Sequence, residues 1–386
     1  MGNEESLSMQ TSYKMTDSYA YAPVAIDHRP ANQRPQSKGL FIEQPGSLHK
    51  TAYHGVWSMQ YSTTLGPVTR IGQCSVFDAS TKRLIIAYGV DTNGQCLNDV
   101  WALDVNKLSW TCLNRNATSP RQFASAVLIG RNMMVFGGVC NHKFFAELHA
   151  INIDTGAVTM INLNNPGPGP RSSPVMFATP DGSLYLWGGY DGAAKSGVHV
   201  LKAGSNEWHR YEKAHTGRAA AAFCEHKGRY FVFGSSKGHG LLEFHPETGE
   251  FDTIDCTGTE PPHQLNRASL VSVDEYLFLI GGEADSQFMH IYALDVNRYW
   301  WFAFHVRPDM ESISLADGNV NKNGLFLLPR EYGASIIYNE SKKEIVSIMG
   351  SKMLNLVPIF KLSIGVALSS LHIRSDMYEV FKTGFY

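Results

Sequence analysis

The chain has 386 residues, with 33 Lys+Arg against 35 Asp+Glu, 44% hydrophobic residues and 35 glycines. Near-neutral charge without a basic run excludes nucleic-acid binding driven by net charge, and no stretch of eighteen apolar residues is present to span a membrane. The six cysteines (Cys74, Cys96, Cys112, Cys140, Cys224, Cys256) show no close pairing and no CxxC spacing, and the N-terminus lacks the apolar core of a signal peptide, so a reduced, cytoplasmic protein is expected.

Residues 1–50 are rich in Ser, Gln, Pro and Asn without periodicity, which predicts an irregular extension. The opening Met1-Gly2-Asn3-Glu4-Glu5-Ser6 fits the pattern for N-myristoylation of Gly2. With Glu4 and Glu5 beside it and no polybasic stretch, such an anchor gives at most weak membrane association. Val56–Tyr61 then reads as an orphan strand. Trp57 precedes Arg70 much as Trp110 precedes Arg121, so this strand has the register of the end of a repeat and is expected to close the last unit of a ring.

The repeating unit is clearest between Pro120 and Ile161. Ala124–Ile129 and Met133–Phe136 read as two strands, the second ending on Gly137-Gly138. Glu147–Ile153 and Val158–Ile161 follow as strands three and four, hinged at Asp154-Thr155-Gly156. Such a small sheet cannot bury both faces alone and must stack on copies of itself. The residue before the doublet recurs as Tyr88, Phe136, Trp187, Phe233, Ile280 and Met349, with spacings of 48, 51, 46, 47 and 69. Val100–Asn106 returns almost unchanged as Ile291–Asn297. Val90, Ser235 and Ser351 replace the second glycine in repeats one, four and six, and Met160 stands where repeat two lacks its fourth-strand aromatic.

A glycine doublet closing strand two, a Trp or Tyr in strand three, an aromatic in strand four and a period near 48 together resemble the kelch repeat over residues 55–365. The resemblance implies an all-β, six-bladed kelch-type β-propeller of four-stranded antiparallel blades, closed by the N-terminal strand. The expected organisation is an extension at 1–50, a propeller at 51–371 with an insertion at 305–329, and a tail at 372–386. It also implies a non-enzymatic scaffold or adaptor for a protein or peptide partner, within a cytoskeletal, membrane-associated or signalling assembly.

The kelch family includes a copper galactose oxidase and iron-dependent nitrile specifiers, and sialic-acid epimerases use a similar propeller, so a sugar enzyme acting in the central pocket is the alternative. Their ligand patterns do not occur here, Glu283 and Asp285 being two apart, and no metal or cofactor is expected. Gly234-Ser235-Ser236-Lys237-Gly238 matches the nucleophile pattern G-x-S-x-G, but a strand follows where that pattern needs a helix. Asp317–Leu328 departs from a calcium loop, with Lys322 where glycine is needed and Leu328 where an acid is needed. His149 and His199 fall in third strands, where packed histidines are expected, and the glycosylation triplets at Asn116 and Asn339 are read as silent.

Strands alternate in direction, so the doublet loops and the inter-blade connections share one face of the ring. That face is expected to present Arg70, Arg121, Arg171, Arg218 and Arg267 from the repeat starts. The doublet loops add Asn93, Gln95, Asn141, His142, Lys143, Tyr190, Asp191, Lys195, Lys237, His239, Glu283 and Gln287. Arginines so placed either pair carboxylates of a partner or brace neighbouring blades through backbone carbonyls.

Overall fold

Short strands build this molecule, and the second strand of each repeat is mostly apolar. Arg83–Ala87 and Arg229–Phe233 are buried at every position after the first, as expected of strands covered on both faces by neighbouring sheets. Innermost strands such as Cys74–Asp78 and Ser335–Asn339 alternate buried with half-buried residues. The computed structural model describes residues 55–211, 216–235, 240–320, 326–350 and 358–365. The extension, the tail, Gly2, Lys237 and His239 lie outside the described residues.

Four-stranded antiparallel sheets begin at Cys74, Ser125, Val175 and Ala222, and two five-stranded ones contain Asn266–Val273 and Ser335–Asn339 as innermost strands. The innermost strands touch in a closed cycle, from Cys74–Asp78 through Ser125–Ile129, Val175–Ala178, Ala222–His226, Asn266–Val273 and Ser335–Asn339 back to the first. Each apolar cluster lies between consecutive large sheets. Val76 and Ile85 pack with Met133 and Val135, Phe136 with Leu186, Trp187 with Phe244, and Phe233 with Trp301. Phe278 packs with Ile345, and Ile348 with Leu84, completing the ring.

Repeat two follows its expected strands within a residue at each end: Ser125–Ile129, Asn132–Phe136, Leu148–Asn152 and Val158–Met160. Val158, not Met160, holds the position of the fourth-strand aromatic, since Val158 faces Ile151 as Trp110 faces Leu103. Met160 is exposed.

The N-terminal strand Gly55–Tyr61 pairs antiparallel with Pro358–Ser363, Trp57 opposite Leu362, and forms the outer antiparallel strand of the last large sheet. Trp57 is buried and stacks on Phe360 at 5.2 Å. Pro358, expected inside the strand, is its first described residue, and residues 351–357 lie outside the described set.

The expectation of six sheets separated by a plain insertion needs correction, because the described residues contain seven sheets of three or more strands. Asn319–Val320 and Phe326–Pro329 join Phe288–Met289 in the additional three-stranded sheet. Val306–Pro308 pairs parallel with Gly55–Trp57 and covers the outer edge of the closing strand. Apolar burial explains this order, since Val306, Ile313, Leu315, Phe326 and Leu328 share a cluster with Trp57. Asp317 is buried and accepts the N–H of Ser314, the N-cap of a 3₁₀ turn, at 2.6 Å; residues 321–325 lie outside the described set.

Candidate partner-binding face

The arginines that open the repeats point inward. Arg70, Arg121, Arg171 and Arg218 are buried, and each donates from its guanidinium to the carbonyl at the first doublet position of its own repeat. The distances are 3.0 Å to Tyr88, 3.1 Å to Gly137, 3.0 Å to Gly188 and 3.4 Å to Gly234. The Nε groups of Arg70, Arg121 and Arg171 reach back two residues to the carbonyls of Val68, Ser119 and Gly169. Arg70 pairs with both oxygens of Asp99 at 2.5 and 2.9 Å, and Arg121 reaches Glu147 at 2.6 Å. Burial would raise the Asp99 carboxyl, but the Arg70 bonds outweigh it and hold it below the usual range. Burial pushes Arg171 and Arg218 down to about 10, which leaves both charged at neutral pH. These four side chains brace the scaffold and are removed from the contact face on which sequence reasoning placed them.

Backbone bonds between repeats give the correct register. The second doublet residue donates its N–H to a carbonyl of the next repeat: Gly89 to Arg121, Gly138 to Arg171, Gly189 to Arg218, Ser235 to Leu265 and Gly282 to Glu331. Leu265 and Glu331 therefore occupy the arginine position in repeats five and six, and Arg267 does not. A Cβ on Gly137 would lie 2.4 Å from the Arg171 carbonyl, and one on Gly188 2.1 Å from that of Arg218, so the first glycine makes this close approach possible. Tyr88 and Met349 hold that first position with φ of 65° and 64°, so the departures in repeats one and six fall there and not at Val90 and Ser351.

Two residues beyond the arginine position stand Gly72, Phe123, Ser173, Ala220, Arg267 and Gly333, all with positive φ. Phe123 donates to Gly72, Ser173 to Phe123, Ala220 to Ser173, Arg267 to Ala220 and Gly333 to Arg267 at 2.7–3.2 Å. The Gln73 side-chain amide donates to the Gly333 carbonyl at 3.1 Å and ties the last connection to the first. The Arg267 guanidinium lies 4.2 Å from the centre of the Phe123 ring, three connections away, and pairs with Glu283. Phe123, with no distinctive signal of its own in the sequence, thus meets Arg267 from across the ring of connections.

The doublet loops carry the exposed groups. Asp91 Oδ1 accepts the N–H groups of Asn93 at 2.9 Å and Gln95 at 2.8 Å, fixing an exposed turn. Asn141 and His142, with φ of 47° and 62°, form the tip of the hairpin Val139–Cys140/Lys143–Phe144, as a two-residue loop of this twist requires. Lys143 is exposed with its ammonium 5.4 Å from the Phe145 ring centre. Tyr190 is 45% exposed and meets Phe144 edge-on at 6.3 Å, while Lys195 pairs with Asp191 at 2.6 Å. Gln287 is exposed, and its carbonyl accepts the Arg330 N–H. Arg330 donates to the carbonyls of Gly282, Ser286 and Phe288 and so knits the fifth loop, a role that its place in the sequence does not signal.

His149 is packed as expected. Its Nε2 lies 2.6 Å from the Tyr88 hydroxyl, which also meets Thr118 Oγ1 at 2.8 Å. Burial, with Arg121 nearby, pushes His149 down to about 3, and burial pushes Tyr88 up to about 12.

The family model for the KLHDC2/KLHL20/DRC7 Kelch-repeats domain matches residues 50–235. This is a kelch-repeat protein. The kelch chain is 26% identical over 265 residues to Leucine-zipper-like transcriptional regulator 1 homolog of Drosophila melanogaster, covering 59% of this chain and 27% of that protein. It is 28% identical over 197 residues to Kelch domain-containing protein 3 of Rattus norvegicus, covering 45% and 49% respectively. Human Host cell factor 1 matches at 33% over 138 residues, 31% of this kelch chain and 7% of that protein. The chain spans less than half the length of each of these relatives.

Proposed function

We propose that this kelch propeller is a scaffold that captures a protein or peptide partner on the face formed by its doublet loops and inter-blade connections. The carrying observation is the division of labour among polar groups. Four arginines are spent inside the ring, whereas Asn93, Gln95, Asn141, His142, Lys143, Tyr190 and Gln287 stand exposed on loops fixed by their own hydrogen bonds. The described residues form seven sheets of three or more strands, and the six connections from Gly72 to Gly333 line one end of the scaffold. Phe123 and Arg267 meet across the axial end of this face, which favours surface capture over a reaction in a central pocket. Arg267 is paired with Glu283 and Lys195 with Asp191, so the exposed Lys143 is the cation offered to a partner, which we read as a segment carrying an acidic group.

An array of peptides of graded charge tests this on the full chain. Acidic peptides should be retained, and Lys143→Ala with Tyr190→Ala should weaken retention while the melting temperature holds. Retention that ignores both peptide charge and these substitutions overturns the reading.

A further inference from the structure

Two cysteines distant in sequence meet on this face. Cys96 lies in the doublet loop of repeat one, where it bridges Val90, and Cys140 sits at the base of the hairpin of repeat two, opposite Lys143. The Cys96 sulfur is 4.0 Å from the carbonyl oxygen of Val139, the neighbour of Cys140, which sets the two cysteines side by side. Both residues are partly exposed and both are free thiols. Their backbones are held from either side. Leu97 donates to Gly89, the Asp91 carboxylate ties Gln95, and Val139 exchanges both backbone bonds with Gln122.

We propose that Cys96 and Cys140 are a reversible dithiol/disulfide site that exchanges with a low-molecular-weight disulfide such as oxidised glutathione. The Cys140 thiolate attacks one sulfur of glutathione disulfide, the S–S bond breaks, and one glutathione leaves as its thiolate. Cys96 then gives its proton to solvent and attacks the Cys140 sulfur, forming the protein disulfide and expelling the second glutathione. The two protein thiols supply two electrons, glutathione disulfide accepts them, and the two protons end on the released glutathiones. Burial and the neighbouring thiol push Cys96 up to about 12, so closure becomes faster as pH rises. The bond would pin the loop of Asn93 and Gln95 to the hairpin of Asn141, His142 and Lys143. This consequence rests on the proposed partner face; the bond itself does not.

The test equilibrates the full chain with mixtures of reduced and oxidised glutathione, quenches with acid, and maps peptides by mass. The expected result is one cross-linked pair joining the Cys96 and Cys140 peptides, reversed by excess reduced glutathione. Cys96→Ser should instead leave a glutathione adduct on Cys140, and so separates closure from general oxidation. If wild type accumulates glutathione adducts on both residues without the cross-link, or if neither residue reacts, the proposal fails. Absence of peptide binding in both the reduced and the cross-linked protein would count against the partner face alone.

Discussion

Arg121 and Arg267 carry the same charge in different surroundings. Arg121 is buried between the rings of Tyr88 and Phe145, at 5.4 and 4.1 Å, and satisfies carbonyls that water cannot reach. Arg121→Ala should cost on the order of 1–3 kcal/mol, because the Gly137 carbonyl is left unpaired. Arg267→Ala removes a half-exposed ion pair and a ring contact, and should cost under about 1 kcal/mol. Thermal melts of the two variants side by side check the order, and equal losses would refute it.

Glu331, in the arginine position of repeat six, has the opposite need. It is buried, its Oε1 lacks a partner among the described residues, and Ser347 donates to its Oε2 at 2.6 Å. Burial raises its carboxyl to about 7. A folded-state value above the unfolded one means that the group's stabilising contribution is complete below the ordinary carboxylate range and is lost as pH rises through 7. Glu331→Gln should therefore gain up to about 3 kcal/mol over wild type above pH 7 and little near pH 4. His149, held neutral by burial, contributes the reverse slope on acidification, so the difference between variant and wild type is the quantity to follow by denaturant titration.

At the scale of elements, stability depends on covering strand edges. Gly55–Tyr61 supplies the closing strand and is itself covered by Val306–Pro308, while Thr257–Gly258 runs parallel to Trp300–Phe304 on the preceding sheet. The connecting segments lie against the tryptophans of fourth strands. A Cβ at Gly167 would come within 2.1 Å of the Trp208 ring, and one at Gly66 within 2.5 Å of Trp110. Removing residues 1–61 should expose the Pro358–Ser363 edge and the apolar bed of Trp57, giving aggregation and a melting temperature far below that of a 1–54 deletion. Light scattering during a thermal ramp separates the two, and coincident curves would show that closure is not what this strand provides.

Over the whole molecule, each large sheet is held by apolar clusters on both sides, whereas the ion pairs that join neighbouring repeats keep a partly exposed cation. Arg83–Asp154 and Arg131–Asp78 link repeats one and two at 2.5 and 2.7 Å, and Lys343–Asp274 links five and six at 3.0 Å. Exposed pairs contribute little, so raising salt to about 1 M should lower the melting temperature only slightly, and the ring should melt in one calorimetric transition. A large salt-induced loss would transfer the stabilising role to those pairs. The repeat period, the strand pattern and the closing role of Gly55–Tyr61 were legible in the sequence, because alternation and glycine placement are local requirements that each repeat meets alone. Whether Arg70 faces a partner or a carbonyl, which residue of repeat five matches it, and that Phe123 meets Arg267 and Cys96 meets Cys140 were decided only by tertiary structure. Those relations join residues of different repeats, and their distances depend on how the sheets stack around the axis, which no spacing along the chain encodes.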